Sequence, residues 1–514
     1  MARIKLVDVS IRDGNQSLWS LTGMTPAMAL QIAPVLNRVG FKALDFISST
    51  HMGAAVRYHR TDPWAYIRAM RRLAPDTPLQ FIGTGMRFIS WESSSDEFMR
   101  LVYRRLVANG ISRFIILNPM HDKEALLRAA RIAKEEGAPD VMAALTYTVS
   151  EVHDDAFYAD FAAAVASSPD FDRAYIKDPA GLLTAERART LIPAVKARLG
   201  GMPLELHSHC TLGQSQFNYL VGAELGIDAL HVAIGPLGNG TSLPPARRTI
   251  ANLRDLGHSV DIDDEALERV ASFFGQVAGV EGLPAGKPGE FDAAFMRHQV
   301  PGGVMTTIRR QMAEMGMSDR LEAVIEEIER VRAELGYPIM VTPFPQIVCT
   351  QASYNVMSGE RYGTVPDQVI RYILGKFGRP TAPVDGNVKD RILSSARARE
   401  IADEPPPPSV AELRKRFPRG ISDDEFLLRA VMPAGQVDAM QGAGRLRETY
   451  DPRARSVIRL LEGLKERPRV SGLVVDKPGF RLALGSRRTA GEGEEPAPGE
   501  HAEPVEDHRD TGTG

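Results

Sequence analysis

The first half of the chain alternates short apolar, β-branched runs with longer amphipathic segments, which is the pattern of repeated βα units. Helix-like segments such as 27–39, 96–109 and 123–136 separate these runs, and two of the segments stop at Gly40 and Gly110. The predicted strands are 4–9, 43–47, 79–82, 113–117, 141–146, 174–177, 204–207 and 229–234. Because that many strands within about 240 residues is the size of a (β/α)8 barrel, we predict an α/β fold of the TIM-barrel type.

The second half of the chain has a different pattern. A chain of 514 residues is too long for one ordinary hydrophobic core, so a further domain is expected. Helical patterns follow the barrel at 264–274, 319–335 and 367–377. The last residues are rich in Gly, Glu, Pro and Thr, which predicts disorder. We therefore expect a barrel domain at 1–255, a mostly helical C-terminal domain at 256–470 and a disordered tail at 487–514.

The composition is that of an ordinary soluble protein. Hydrophobic residues make up 43% of the chain and charged residues 25%, with a formal net charge of −3. These values do not indicate a nucleic-acid or acidic-membrane surface. The N-terminus lacks a signal-like apolar region, and no apolar run is long enough to span a bilayer. Since Cys210 and Cys349 cannot form a disulfide framework, we expect a cytoplasmic protein with no transmembrane segment and no nucleic-acid partner.

Residues suited to metal binding stand at the ends of three predicted strands. The three segments are IRDGNQSL from Ile11, YIKDPAGLL from Tyr175 and LHSH from Leu206. In a parallel barrel all such strand ends meet at one mouth, where active sites of this architecture lie. The candidate ligands there are Asp13, Lys177, His207 and His209. One carboxylate, one lysine and two imidazoles suit a divalent ion, with Zn²⁺ as the first choice and Mn²⁺ or Co²⁺ as alternatives.

Each of these residues also has a structural explanation. Asp13 could cap the helix that follows it, as aspartate often does. His207 and His209 lie two apart on a strand and so point to the same face, where they could instead be a buried, hydrogen-bonded pair. Lys177 could be ion-paired with a neighbouring aspartate. The metal interpretation depends on all four side chains converging at one rim.

Lys177 ends an apolar run, and this position allows two chemistries. A lysine there is costly to desolvate as a cation, so its pKa should fall and its amine should become nucleophilic. The amine could form a Schiff base with a ketone substrate. Alternatively, it could react with CO₂ to give a carbamate, an anionic oxygen donor that can bind a metal beside two histidines.

Taken together, the motifs resemble the carboxyltransferase component of the biotin-dependent α-ketoacid enzymes. These enzymes are pyruvate carboxylase, the α subunit of oxaloacetate decarboxylase and the transcarboxylase 5S subunit. The resemblance covers nearly all of residues 4–393. Its further marks are LELHSHCTLG from Leu204, HQVPGGV from His298, VTPFPQIVCTQASYNVMSGERY from Val341 and GRPTAPVD from Gly378.

The resemblance implies roles for individual residues. The implied metal ligands are Asp13, a carbamylated Lys177, His207 and His209. Gln16 is implied to lie on the substrate side. Thr342 is implied to pass a proton between substrate and biotin from a helical part that closes over the barrel mouth. The implied reaction moves a carboxyl group between carboxybiotin and a ketoacid, whose enolate oxygen a divalent cation stabilises.

One side of the predicted mouth departs from the family pattern. The family's EVWGGAT after the second strand is LDFISST at 44–50, and its FDALND after the fourth strand is LNPMHD at 117–122. Thr84 aligns with the family arginine that holds the ketoacid carboxylate, and Arg87 could compensate for its loss. The predicted substrate-side residues are Arg12, Gln16, Thr84 and Arg87. We therefore expect a small oxo-acid or related carbonyl substrate that need not be pyruvate.

The biotin itself is expected on another chain. No AMKM-type lysine motif occurs in this sequence, so the resemblance implies a biotinyl carrier protein and a biotin carboxylase subunit as partners. A homo-oligomer is also expected. Two rival hypotheses remain open: a biotin-independent metal-dependent C–C lyase or aldolase like hydroxymethylglutaryl-CoA lyase, and a non-enzymatic scaffold that binds a biotin enzyme.

Overall fold

Eight parallel strands form a closed barrel in the computed structural model. The model describes residues 2–90, 93–452, 454–455, 457, 460, 463, 472–477 and 480–485. The strands are β1 (Lys5–Asp8), β2 (Ala43–Ser48), β3 (Leu79–Gly83), β4 (Arg113–Ile116), β5 (Asp140–Thr146), β6 (Arg173–Asp178), β7 (Leu204–Ser208) and β8 (Ala229–Val232). They pair in sequence order, and β8 closes the barrel on β1. All eight predicted strands are confirmed, with ends shifted by at most two residues.

Helices surround the barrel as predicted. They are α1 (Asn15–Leu18), α2 (Pro26–Val39), α3 (Ser49–Arg57), α4 (Pro63–Leu73), α5 (Asp96–Asn109), α6 (Lys123–Glu135), α7 (Asp155–Ala166), α8 (Ala185–Arg198), α9 (Ser215–Glu224) and α10 (Ala246–Asp255). Ser95 and Asp122 cap α5 and α6 by accepting backbone N–H hydrogen bonds. Gly40 and Gly110 end α2 and α5 in the left-handed conformation that the predicted glycine stops require.

The region after the barrel is helical, as the sequence predicts. Its helices are α11 (Asp264–Glu281), α12 (Ala293–His298), α13 (Gly302–Glu314), α14 (Leu321–Glu334), α15 (Phe344–Ser358), α16 (Asp367–Ile373), α17 (Gly386–Leu393), α18 (Ala396–Ala402), α19 (Val410–Arg414), α20 (Asp423–Val431) and α21 (Ala434–Gly442). The α16 helix is shorter than predicted because Gly375 adopts a positive φ and stops it.

These helices belong to two hydrophobic cores. Helices from the beginning and the end of the region share the barrel core, and helices between them form the other. Val270 and Phe274 of α11, together with Phe426 of α20, pack into the same core as the barrel helices. A second core forms mainly between residues 300 and 401 and includes Met120 from the loop after β4. Met1–Pro452 is therefore one compact unit in which part of the helical region covers the barrel.

The remaining described residues belong to a second unit, Arg453–Gly514. It contains an antiparallel hairpin of β9 (Gly472–Lys477) and β10 (Phe480–Gly485), which the sequence reasoning did not predict. The predicted disordered tail at 487–514 lies outside the described residues. Among the described helices, none combines the length and apolarity needed to cross a bilayer.

Alternation along the strands places polar side chains inside the barrel. On β7, Glu205 and His207 point to one face, and in the register with β6 the residue beside His207 is Lys177. Apolar side chains such as Ile115 and Met142 fill the neighbouring interior. The barrel interior thus combines apolar side chains from β4 and β5 with polar side chains from β6 and β7.

Candidate metal centre

Four side chains predicted as metal ligands meet at the mouth of the barrel. Asp13 lies in a π-helical turn, Ser10–Gly14, that begins two residues after the end of β1, and Lys177 and His207 are the last residues but one of β6 and β7. His209 follows β7 by one residue, and all four side chains are buried. The Oδ2 atom of Asp13 lies 3.4 Å from Lys177 Nζ, 3.2 Å from His207 Nε2 and 3.5 Å from His209 Nε2.

The donor atoms have the spacing that one small ion requires. The Nε2 atoms of His207 and His209 are 3.2 Å apart, and the three ligand atoms of the Asp13 group all lie within 4.8 Å of one another. Two ligands at about 2.1 Å from a tetrahedral ion are separated by about 3.4 Å. A carboxylate and two imidazoles therefore fit a divalent cation without a change of backbone position.

Electrostatics favour the ligand forms of Asp13 and His207. Burial alone would raise the pKa of Asp13, but Arg12, His209 and Lys177 hold that pKa well below its usual range. Burial lowers the pKa of His207 well below its usual range, so the imidazole stays neutral. An ionised carboxylate and a neutral imidazole are the forms that bind metal.

Lys177 completes the cluster on the side of His207. Its Nζ atom lies 3.0 Å from His207 Nε2, and burial lowers its pKa although Asp13 acts in the opposite direction. A neutral amine at this position is a nucleophile, which both carbamate formation and Schiff-base formation require. The geometry places this amine within reach of the position that an ion would occupy.

Arg12 bridges the candidate ligand Asp13 and a second buried carboxylate, Asp45. Its guanidinium donates to Asp13 Oδ2 at 2.8 Å and, through Nε, to Asp45 Oδ2 at 2.7 Å. All three side chains are buried, so these ion pairs are shielded from water. Sequence reasoning missed Asp45, although its position inside the otherwise apolar β2 was a signal that a buried partner was needed.

Three polar groups behind the histidines were also missed. Glu205 and His231, from β7 and β8, lie below His207, and Arg113 reaches Glu205 across the barrel at 2.6 Å. Burial alone would raise the pKa of Glu205, but Arg113 and His231 hold it well below its usual range. The sequence carried one signal for Glu205: it lies two residues before His207 on the same strand and so points to the same face.

The remaining predicted residues come from separate elements of the fold. Gln16 on α1 and Thr342 before α15 are exposed, and Thr84 after β3 is half-buried. Arg87 is buried, with its guanidinium 5.6 Å from the centre of the Phe377 ring, and burial lowers its pKa to about 10. The structure thus brings the predicted metal ligands together, whereas the predicted substrate-binding residues other than Arg12 do not form a cluster among the described contacts.

Sequence comparison identifies relatives over most of the chain. A family model described as a conserved carboxylase domain matches residues 295–464. A pyruvate carboxylase subunit of Methanocaldococcus jannaschii is 32% identical over 466 residues, which is 89% of this chain and 81% of that protein. The 2-oxoglutarate carboxylase large subunit of Hydrogenobacter thermophilus is 28% identical and covers 84% of this chain and 67% of that protein.

Structural comparison agrees with the fold. The carboxyl transferase domain of Rhizobium etli pyruvate carboxylase, solved with pyruvate and biocytin, superposes with a TM-score of 0.78 at 21% identity. The match covers 95% of this chain and 85% of that one, so the barrel and the helical region share its arrangement. Together with the level of identity to the Methanocaldococcus protein, these matches show that the chain belongs to the family of carboxyltransferase subunits of biotin-dependent carboxylases.

Proposed function

We propose that this protein moves a carboxyl group between a biotin held on a separate carrier and a small oxo-acid, with a divalent metal at the barrel mouth. The observation that supports the proposal most is the convergence of Asp13, His207 and His209 in a chain of this family. Zn²⁺ is the first choice for this nitrogen and oxygen donor set, with Mn²⁺ and Co²⁺ as alternatives. When bound, the cation supplies Lewis-acid stabilisation of the negative charge that develops on the substrate carbonyl oxygen.

The residues of the chain then have separate tasks. Asp13, His207 and His209 hold the cation, and Lys177, as a carbamate, supplies a further oxygen donor. Arg12 keeps Asp13 ionised and oriented through its ion pairs, so its contribution is to position a ligand. The exposed Gln16 lies on α1, the first turn after the metal-binding segment, where it can contact a substrate at the mouth.

Thr342 is proposed as the proton carrier between substrate and biotin. Thr342 is exposed just before α15 and has no described hydrogen bond to a metal ligand, so loss of its hydroxyl should leave the metal ligands in place. Thr342→Ala should therefore lower carboxyl transfer by about 10²-fold, the lower range for a lost acid–base group, and leave metal content unchanged. Thr342→Ser serves as the control and should retain most of the activity. A Thr342→Ala protein as active as wild type would contradict this role.

The residue at position 84 predicts a measurable substrate preference. Thr84 stands where the family has an arginine, and a bidentate guanidinium–carboxylate pair both binds and orients a ketoacid. Thr84→Arg should raise kcat/KM for pyruvate or oxaloacetate by roughly 10- to 100-fold, as expected for a hydrogen bond to a charged group. Thr84→Gln, which adds length without charge, should give no such gain. Robust turnover of oxaloacetate by the unmodified protein would contradict the changed preference.

The wider organisation follows from the same proposal. The barrel, residues 1–255, would provide the metal centre, and the helical region at 256–470 would close over its mouth. The Methanocaldococcus relative is named as one subunit of its enzyme, which supports a complex with partner subunits. We propose these partners to be a biotin carboxylase and a biotinyl carrier. A cytoplasmic homo-oligomer remains our proposal for the state of the protein in the cell.

A panel assay tests the proposed reaction. Decarboxylation of several oxo-acids and acyl thioesters is measured with metal-loaded protein, with and without free biotin. We expect turnover of at least one oxo-acid that biotin stimulates. Turnover without any dependence on biotin would instead support the metal-dependent lyase or aldolase alternative.

A further inference from the structure

The two histidines of the metal centre are oriented by different partners. Nδ1 of His209 lies 2.7 Å from the backbone carbonyl oxygen of Thr241. A carbonyl oxygen can only accept, so Nδ1 carries the proton and Nε2 presents its lone pair to the ion. His207 has no backbone carbonyl in the same role among its described contacts. Its Nδ1 atom faces Nδ1 of a third histidine, His231, at 3.1 Å.

A contact between two Nδ1 atoms requires a single proton between them, and Glu205 determines which ring carries it. Glu205 Oε2 lies 3.1 Å from His231 Nε2, while its Oε1 lies 2.6 Å from Arg113 and 2.5 Å from Lys42. With two cations against it, Glu205 is an ionised carboxylate and can only accept. Nε2 of His231 must then donate, which leaves the Nδ1 atom of a neutral His231 as the acceptor for His207.

The ring of His231 is also fixed in place. It is completely buried and stacks on Tyr175, with ring centres 5.5 Å apart and an angle of 14° between the planes. The ring of His207 crosses it at 78°, which directs the Nδ1 edge of one ring to that of the other. The imidazole of His231 therefore cannot turn away without breaking the stack and the bond to Glu205.

We propose that His231, held by Glu205, is a positioning residue that keeps the proton of His207 on Nδ1 and thereby strengthens metal binding at Nε2. The inference rests on the metal centre of the proposed function but not on its substrate or on biotin. Outer partners of this kind fix the tautomer and the orientation of a ligating imidazole. A role for His231 in core packing alone would leave metal affinity unchanged when its shape is replaced by an apolar side chain.

The test is a competition titration of full-length protein with Zn²⁺ and a chelator of known affinity. His231→Leu removes the acceptor, and Zn²⁺ affinity should fall by about 10- to 100-fold. His231→Asn supplies an amide oxygen close to the position of Nδ1, so it should recover most of the affinity. His121→Leu is the matched control because His121 is also buried and bonds a backbone carbonyl, but has no described hydrogen bond to a metal-binding side chain.

A second variant addresses loss of folding. If His231→Leu does not fold, His231→Phe is compared. Phenylalanine keeps a ring stacked on Tyr175 but offers no acceptor to His207, so this variant should also weaken Zn²⁺ binding. Wild-type affinity in folded His231→Leu, or in folded His231→Phe where only that variant folds, would overturn the positioning role alone. Failure of the wild-type protein to bind any divalent ion would overturn the metal centre as well, so the two failures are distinguishable.

Discussion

Replacement of both His207 and His209 by alanine is expected to reduce bound metal from about one ion per chain to a trace and to lower carboxyl transfer by at least about 10⁴-fold. The reason is that two of the three clustered donor atoms are lost, and the oxygen donors that remain, from Asp13 and the proposed Lys177 carbamate, are too few to hold a divalent ion tightly against water. Elemental analysis of the purified protein, with circular dichroism as the check on folding, measures the first effect. The oxo-acid assay measures the second.

A second pair of buried histidines, with no described hydrogen bond to the metal cluster, provides the control. His121 and His153 are also buried, with ring centres 5.3 Å apart, so their double alanine variant removes the same amount of buried imidazole. That variant should keep its metal. Full metal content in the His207→Ala, His209→Ala protein, or an active wild-type protein without metal, would show that the ion is bound elsewhere or is not needed.

Lys177→Arg is expected to lose most of its metal and to lower activity by about 10³-fold. Arginine keeps a positive charge of similar length but stays protonated, so it cannot react with CO₂ to form an anionic donor. A permanent cation next to Asp13 and His207 would also compete with a metal ion for the same site. Metal content by elemental analysis and turnover of the preferred oxo-acid are the measurements.

The carbamate itself is tested on the wild-type protein. Dialysis against CO₂-free buffer should weaken metal retention, and bicarbonate should restore it in the wild type but not in Lys177→Arg. Lys134→Arg, which alters a lysine paired with Asp172 far from the cluster, should behave like the wild type. Borohydride trapping of a substrate on Lys177 would instead show a Schiff base and an aldolase-like mechanism.

The sequence predicts the fold and the convergence of the candidate metal ligands well because both depend on local patterns. Short β-branched runs at regular spacing define the strands, and strand ends in a parallel barrel meet at one rim. Asp13, Lys177 and His207 therefore came together in the structure as expected. Resemblance to a family strengthened this prediction, and identity to the Methanocaldococcus protein confirmed the family.

The parts that sequence reasoning missed depend on contacts across the barrel. Asp45 and His231 read as single polar residues within buried strands, and their partners come from distant positions in the chain. Likewise, α11 and α20 pack against the barrel core although they lie far apart in sequence. The periodicity of a single segment does not indicate which distant helix or side chain will pack against it. These contacts can therefore be identified only from the three-dimensional structure.

The most direct test of the central claim follows the carboxyl group itself. Metal-loaded protein is mixed with free biotin and an oxo-acid that carries carbon-13 in the carboxyl group expected to move, and trapped carboxybiotin is examined by mass spectrometry. Carboxyl transfer at the barrel mouth predicts labelled carboxybiotin with the wild-type protein and none with the His207→Ala, His209→Ala protein. Cleavage of the oxo-acid at the same rate with and without biotin, with no label on biotin, would contradict it.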